Sequence, residues 1–114
     1  KIFILNKQYM GMVRQWQELL HGGRYSHSYT DSLPDFVKLA EAYGCLGVRA
    51  LKPDELDHKI IEMIDYNGPV IFDCVVDQDE NCYPMIPSGA AHNEMLLGES
   101  DDNPEVSDEG KVLI

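Results

Sequence analysis

The sequence predicts an α/β fold built on a partial parallel sheet, with elements in the order β-α-α-β-α-β. Two near-continuous apolar runs, IFIL at residues 2–5 and PVIFDCVVD at residues 69–77, read as strands buried on both faces, as parallel sheets require. A shorter apolar run occupies residues 45–50, and the segments between the runs carry apolar residues at helical spacing. Strands alternating with helices make a parallel unit joined by right-handed crossovers.

The chain opens on Lys1 followed by Ile2, Phe3, Ile4 and Leu5, with no initiator Met. A strand covered on both faces needs neighbours, so most of its sheet is expected upstream of residue 1. Beyond a turn containing Asn6, the residues Met12, Val13, Trp16, Leu19 and Leu20 recur at helical spacing. That amphipathic helix is stopped by the Gly22 and Gly23 pair, and residues 24–30 have no clean period and read as loop. Ser32 then serves as N-cap of a second helix with Asp35 as its capping-box partner, and Phe36, Leu39, Ala40 and Tyr43 line one face until Gly44. Residues 45–50 form the second strand. Pro53, Asp54 and Glu55 open a third helix, where proline and acidic groups suit the first turn, and Leu56, Ile60, Met63 and Ile64 make its buried stripe. Asn67 and Gly68 close it, and the third strand over residues 69–77 is expected to be central. From Gly98 the sequence is acidic and lacks aromatics, which divides the chain into a domain over residues 1–97 and a flexible acidic tail over 98–114.

Acidic residues outnumber basic ones 20 to 9, a formal net charge of −11, which argues against nucleic acid or an anionic membrane as partner. The imbalance is local: residues 1–50 hold 6 basic and 4 acidic groups, residues 51–114 hold 3 and 16. The acidic portion reads as a solvated face. At 114 residues and 44% hydrophobic content the chain supports one small core but is short for a complete diphosphate-binding domain. Cys45, Cys74 and Cys82, an odd number at wide spacing, read as reduced structural thiols of a cytoplasmic protein, not as a disulfide framework or zinc site. No signal peptide and no membrane-length apolar run is visible. The four histidines, His21, His27, His58 and His92, lack a metal-binding spacing. Asp73 in the third strand reads as a carboxylate satisfied at a strand edge, with a buried functional role as the alternative. Residues 84–95, PMIPSGAAHNEM, are rich in turn formers.

The segments NKQYMGMVRQWQELL, RYSHSYTDSLPDFVKLAEAYG and PMIPSGAAHNEM, in this order and spacing, resemble the carboxy-terminal part of the acetohydroxyacid synthase (acetolactate synthase) catalytic subunit. The resemblance covers residues 1 to about 97. It implies a three-layer thiamine-diphosphate-binding domain, of which this chain holds the distal part. It also implies a homo-oligomer, a regulatory small subunit as a further partner, and FAD bound outside the segment present. The family reaction decarboxylates pyruvate and joins the two-carbon unit to pyruvate or 2-ketobutyrate, in branched-chain amino-acid biosynthesis. A sister thiamine-diphosphate carboligase or decarboxylase, and a non-catalytic truncated module, are the alternatives.

In open α/β sheets ligands bind beyond the carboxyl ends of the strands, where Asn6 to Met12 lie. By the resemblance, Mg²⁺ is held against the cofactor diphosphate by an aspartate of a Gly-Asp-Gly motif, an Asn side chain and a backbone carbonyl two residues further on. The Asn position falls on Lys7 and the carbonyl on Tyr9. Lysine is a departure, because magnesium takes oxygen ligands and an ammonium group offers only donors. The expected cofactor-binding residues are therefore Asn6, Lys7, Tyr9, Gly11 and Met12, with Tyr9 supplying a main-chain metal ligand and Lys7 standing at the other ligand position. The resemblance places Met12 against the cofactor and Trp16 where the second ketoacid enters. On the residues alone, both read more simply as packing groups of an amphipathic helix. No catalytic side chain is expected here, since the glutamate that activates the cofactor belongs to another domain of the family, so the fragment alone is expected to be inactive.

Overall fold

The computed structural model describes residues 1–98; nearly all of the expected acidic tail lies outside the described residues. The elements are β1 (Ile2–Asn6), α1 (Gly11–Leu20), α2 (Phe36–Ala42), β2 (Leu46–Ala50), α3 (Leu56–Asp65) and β3 (Val70–Val75). Short 3₁₀ turns at Pro53–Glu55 and His92–Glu94 accompany them. This is the β-α-α-β-α-β order of the sequence, and the sheet is parallel throughout. The chain divides into two compact units, one of residues 1–8 and 30–78, the other of residues 9–29 together with the segment from residue 79 onward.

The first unit is the sheet and its helices. Strand order is β1-β3-β2, with Ile2 opposite Ile71, Asn6 opposite Val75, Leu46 opposite Val70 and Ala50 opposite Cys74. The most apolar strand is thus the central one, as its composition predicts. Side chains alternate across a strand, so Val48, Ala50, Val70, Phe72 and Cys74 share one face and form the core, against which Leu56, Ile60 and Met63 of α3 pack. Phe3 leans on Phe72 with ring centroids 4.6 Å apart. The opposite face carries Gly47, whose missing side chain admits α2: a Cβ there would lie 2.8 Å from the Val37 carbonyl oxygen. Helices α2 and α3 therefore lie on opposite faces of the sheet, giving three layers within this unit.

Four expectations are corrected here. β1 is not buried on both faces: it is an edge strand with one neighbour, and Ile2, Phe3 and Leu5 are exposed. The N-cap of α2 is Asp35, not Ser32; its side chain accepts from the Val37 and Lys38 amides. Pro34 disfavours helical backbone at Leu33, so the helix cannot begin at Ser32. Ile64 is exposed, because the stripe that reaches the sheet runs through Leu56, Ile60 and Met63, and Ile64 lies at its margin, about 40° round the helix beyond Ile60. Asp73 is not at a strand edge but in the central strand, with 1% of its surface exposed.

Helix α2 ends as its glycine predicts. Gly44 has φ +69°, its N–H donates to the Glu41 carbonyl and the Cys45 N–H to the Ala40 carbonyl, the paired bonds of a Schellman cap. Burial, with Asp73 adjacent, pushes the Cys74 thiol up, which suits a packing group. All three cysteines are free, and no helix among the described residues is long and apolar enough to cross a membrane.

In the second unit, α1 is turned inside out relative to its sequence pattern. Arg14 and Gln15 are its buried residues, while Met12, Val13 and Trp16 are exposed. The polar face can be buried because Arg14, Gln15 and Glu18 on it each find hydrogen-bonding partners, although Arg14 Nε itself has none. The Gln15 side chain donates to the Cys82 carbonyl at 3.0 Å and accepts from the Cys82 N–H at 2.8 Å, pairing with one backbone unit in both directions. Glu18 accepts from Asn81 Nδ2 at 3.0 Å and from the Tyr25 hydroxyl at 3.0 Å. The helix closes at Gly22 and Gly23, both at positive φ, with the Gly23 N–H donating to the Gln17 carbonyl. Met85, in the turn-rich segment 84–95, forms an antiparallel bridge with Leu96 just beyond it.

Candidate functional site

The C-terminal end of β1 continues into a tight turn. Asn6 is the last residue of the strand, and both ends of its side chain are committed: Oδ1 accepts the Gln8 N–H at 3.2 Å and Nδ2 donates to Asp73 Oδ1 at 2.9 Å. Gln8 sits at φ +58°, left-handed backbone that a residue with a Cβ adopts only when held there. Lys7, between them, is half-buried. The Gln8 side chain also accepts a hydrogen bond from Gln78.

The ion-pair network behind this turn spans all three strands' region of the unit. Asp73 Oδ2 accepts from Arg49 Nε at 2.8 Å, and a second guanidinium nitrogen donates to Asp35 Oδ1 at 2.7 Å. The Asp73 hydrogen bond, with the one to Asp35 in support, outweighs burial and holds Arg49 above its ordinary value. The Arg49 bond, followed by the Lys38 amide, holds the Asp35 carboxyl below the usual range. The sequence could not have announced this set, since residues 35, 49 and 73 are far apart along the chain.

In the second unit, Tyr9 pairs with Tyr29 through an antiparallel bridge, their rings 5.0 Å apart. The Met10 N–H donates to the Ser28 carbonyl, which makes Tyr9 the non-hydrogen-bonded member and turns its own carbonyl out of the pair. Gly11 begins α1. No side chain caps that helix and no acidic residue lies in its first turn. Along the outward face, Met12, Val13, Trp16, Gln17, His21, Arg24 and Ser26 line a groove of about 790 Å³. Its walls are apolar at Met12, Val13 and Trp16, and Arg24 and His21 bring cationic or hydrogen-bonding groups to it.

Arg14 lies on the buried side of α1. The guanidinium lies between the rings of Tyr9 and Tyr25, 5.2 and 4.9 Å from their centroids, and pairs with Glu18 at 2.5 Å and Asp79 at 2.6 Å. Burial alone would lower its affinity for the proton, but Tyr25, Glu18 and Asp79 together raise it. Burial, and then the hydrogen bond that its hydroxyl donates to the Glu18 carboxylate, push the Tyr25 phenol up. Sequence periodicity missed this cluster because it treats a polar residue on a helix as solvent-facing. The one available signal was the pair Arg14 and Glu18 at i, i+4 spacing.

Residues 1–74 match the family of the thiamine pyrophosphate enzyme, C-terminal TPP binding domain. The chain belongs to this family. Among similar proteins are the acetolactate synthase large subunits of Haemophilus influenzae (strain ATCC 51907 / DSM 11121 / KW20 / Rd) and Cyanidium caldarium, each 47% identical over 97 residues. The acetolactate synthase isozyme 3 large subunit of Escherichia coli (strain K12) is 45% identical over 100 residues. The matches take in 84 to 85% of this chain and 17% of each of those proteins, so the chain spans about a sixth of the length of its relatives.

A TPP-binding domain handles an anionic diphosphate, and a lysine ammonium such as that of Lys7 is a donor of the kind that suits such a group. A magnesium ion at position 7 does not fit. Lys7 has no lone pair to give; the neighbouring Asn6 side chain spends one lone pair of its oxygen on the Gln8 N–H and its nitrogen on Asp73. Among the described residues no group of three or more His, Cys, Asp or Glu side chains is placed to hold a metal ion.

Proposed function

We propose that this chain is part of an acetolactate synthase catalytic subunit, and that it supplies the distal half of the thiamine diphosphate site for the condensation of pyruvate with pyruvate or 2-ketobutyrate. The observation that carries the reading is the 47% identity to acetolactate synthase large subunits across 97 residues, together with the match of residues 1–74, which hold the candidate positions, to the TPP-binding family. When bound, thiamine diphosphate supplies the electron sink for decarboxylation and carbon–carbon bond formation; the protein supplies orientation and electrostatics.

In this reading Lys7 and Gly11 are cofactor-binding residues, as the resemblance implies for each, and Asn6 holds the turn that carries Lys7. Met12 packs against the cofactor. The Tyr9 carbonyl remains a candidate ligand for a cation supplied with it, but no step is routed through that cation. Trp16, 45% exposed on the groove, offers a flat apolar surface to the alkyl group of the second ketoacid and keeps water from that side of the reaction. One methylene in an apolar site is worth about 1–3 kcal/mol, enough to choose 2-ketobutyrate over pyruvate. The domain is proposed to run over residues 1–97, with 98–114 as an appended acidic segment. The proposed setting is a cytoplasmic homo-oligomer with a regulatory small subunit.

The test is a complete catalytic subunit carrying this sequence, assayed for acetolactate from pyruvate with and without added thiamine diphosphate. Cofactor-dependent product is expected, while the 114-residue chain by itself forms none. A complete subunit that neither binds the cofactor nor makes acetolactate would overturn the reading.

A further inference from the structure

The most deeply buried charge in the first unit is the Asp73 carboxylate, 1% exposed in the central strand. Its two oxygens face opposite neighbours: Oδ1 takes the Asn6 amide of β1 and Oδ2 takes Arg49 Nε of β2. Arg49 is tied down on its other side by Asp35, the residue that caps α2, so it is anchored apart from Asp73. Asn6 in turn uses its oxygen to hold the Gln8 N–H, and Gln8 lies in left-handed backbone. An asparagine amide has one donor end and one acceptor end. Which end meets Gln8 is decided by what meets the other, and an ionised carboxylate accepts only.

We propose that Asp73 is a positioning residue for the cofactor turn: its carboxylate, braced by Arg49, fixes the orientation of the Asn6 amide and so the turn over residues 6–8 that presents Lys7. The functional consequence rests on the thiamine diphosphate reading above; the clamp rests on the hydrogen bonds alone.

The hydrogen-bond inventory makes a sharp distinction between two variants. In Asp73→Asn one oxygen becomes an NH₂ group. If its remaining oxygen serves Arg49, the new NH₂ meets Asn6, which must flip and turn its own NH₂ toward the Gln8 N–H. If its oxygen serves Asn6, the NH₂ faces Arg49 Nε. Either way two donors oppose each other. In the double variant Asn6→Asp/Asp73→Asn every contact is restored: Asn at 73 accepts from Arg49 and donates to Asp at 6, whose second oxygen accepts from Gln8.

The experiment compares the native sequence, Asp73→Asn and the exchanged pair in the complete catalytic subunit. Hydrogen exchange is read by mass spectrometry on the peptide over residues 3–10 without cofactor, and thiamine diphosphate affinity by titration calorimetry. Asp73→Asn is expected to speed exchange in that peptide and to weaken the cofactor by about tenfold, the effect of one unmet buried donor. The exchanged pair should recover both, to within about threefold in affinity. Cofactor-free thermal unfolding, measured alongside, identifies a variant that fails to fold; the exchanged pair then carries the test, and its native-like exchange and affinity uphold the proposal. Unchanged exchange in Asp73→Asn, or an exchanged pair as weak as the single variant, overturns it. If the native subunit has no affinity for thiamine diphosphate, the functional reading falls. Exchange then decides the clamp by itself: faster in Asp73→Asn and restored in the pair upholds it, anything else overturns it.

Discussion

Replacing Arg14 by Met keeps the long apolar stem and removes the guanidinium, and so isolates what the charge contributes to α1. The Asp79 partner is 83% exposed, and such a pair contributes little, about 0–1 kcal/mol. Glu18 is less exposed at 26%, and it keeps the Tyr25 hydroxyl and Asn81 amide after the substitution, so its loss is about 1 kcal/mol. Stacking between Tyr9 and Tyr25 adds about 0.5–1 kcal/mol per ring. The expected total is about 2–4 kcal/mol. Trp16 is the sole tryptophan and lies half a turn along the same helix, so its emission during urea titration reports this unit directly. Arg14→Lys retains a charge without the planar fork and should lose about half as much. A Met variant whose Trp16 transition moves by less than about 0.5 kcal/mol would refute the claim that Arg14 holds the apolar face of α1 outward.

Three further outcomes are expected. In the complete subunit, Lys7→Asn should raise the affinity for Mg²⁺ together with thiamine diphosphate, because it supplies an oxygen where the chain now offers an ammonium group; equal metal affinity in both forms would show that position 7 does not touch the ion. Trp16→Leu should cut the preference for 2-ketobutyrate over pyruvate by roughly tenfold, read as the ratio of acetohydroxybutyrate to acetolactate with both ketoacids present, and an unchanged ratio would return Trp16 to a packing role. The Asp35 carboxyl is held below its ordinary range by Arg49 and the Lys38 amide, so its contribution is complete above the unfolded value and is lost as pH falls through the folded one. Thermal unfolding of Asp35→Asn, which still caps α2, should therefore show a flatter decline than the native chain below roughly pH 4, and parallel curves would dismiss the ion pair as a source of acid sensitivity.

The element order, the parallel sheet and the central place of β3 were legible because apolar runs and helical spacing report them directly. So was the end of α2, where Gly44 takes the positive φ its type suggests. The facing of α1 was not. Its apolar stripe is visible in the sequence, but the buried side is chosen by Arg14 and Gln15 meeting partners 65 to 70 residues away. The edge exposure of β1 likewise depends on how many strands flank it, which composition does not encode. At the candidate site, Asn6, Lys7, Tyr9 and Met12 were picked out by the resemblance, whereas Asp73 and Arg49 needed the sheet register, which sets them side by side on adjacent strands.

Gly47 governs more than its own fit. It shares a sheet face with Arg49 two residues on, and with no side chain between them the backbone of α2 settles against the strand at van der Waals distance. The spacing of that layer is therefore gauged by main-chain atoms, which do not change rotamer, and not by side chains, which do. Asp35 at the head of α2 inherits the same gauge, and its 2.7 Å reach to Arg49 is set by it. A single methyl group at position 47 would lift the helix and lengthen that reach, so a residue with no chemistry of its own sets the tolerance of the charged chain from α2 through Arg49 and Asp73 to Asn6.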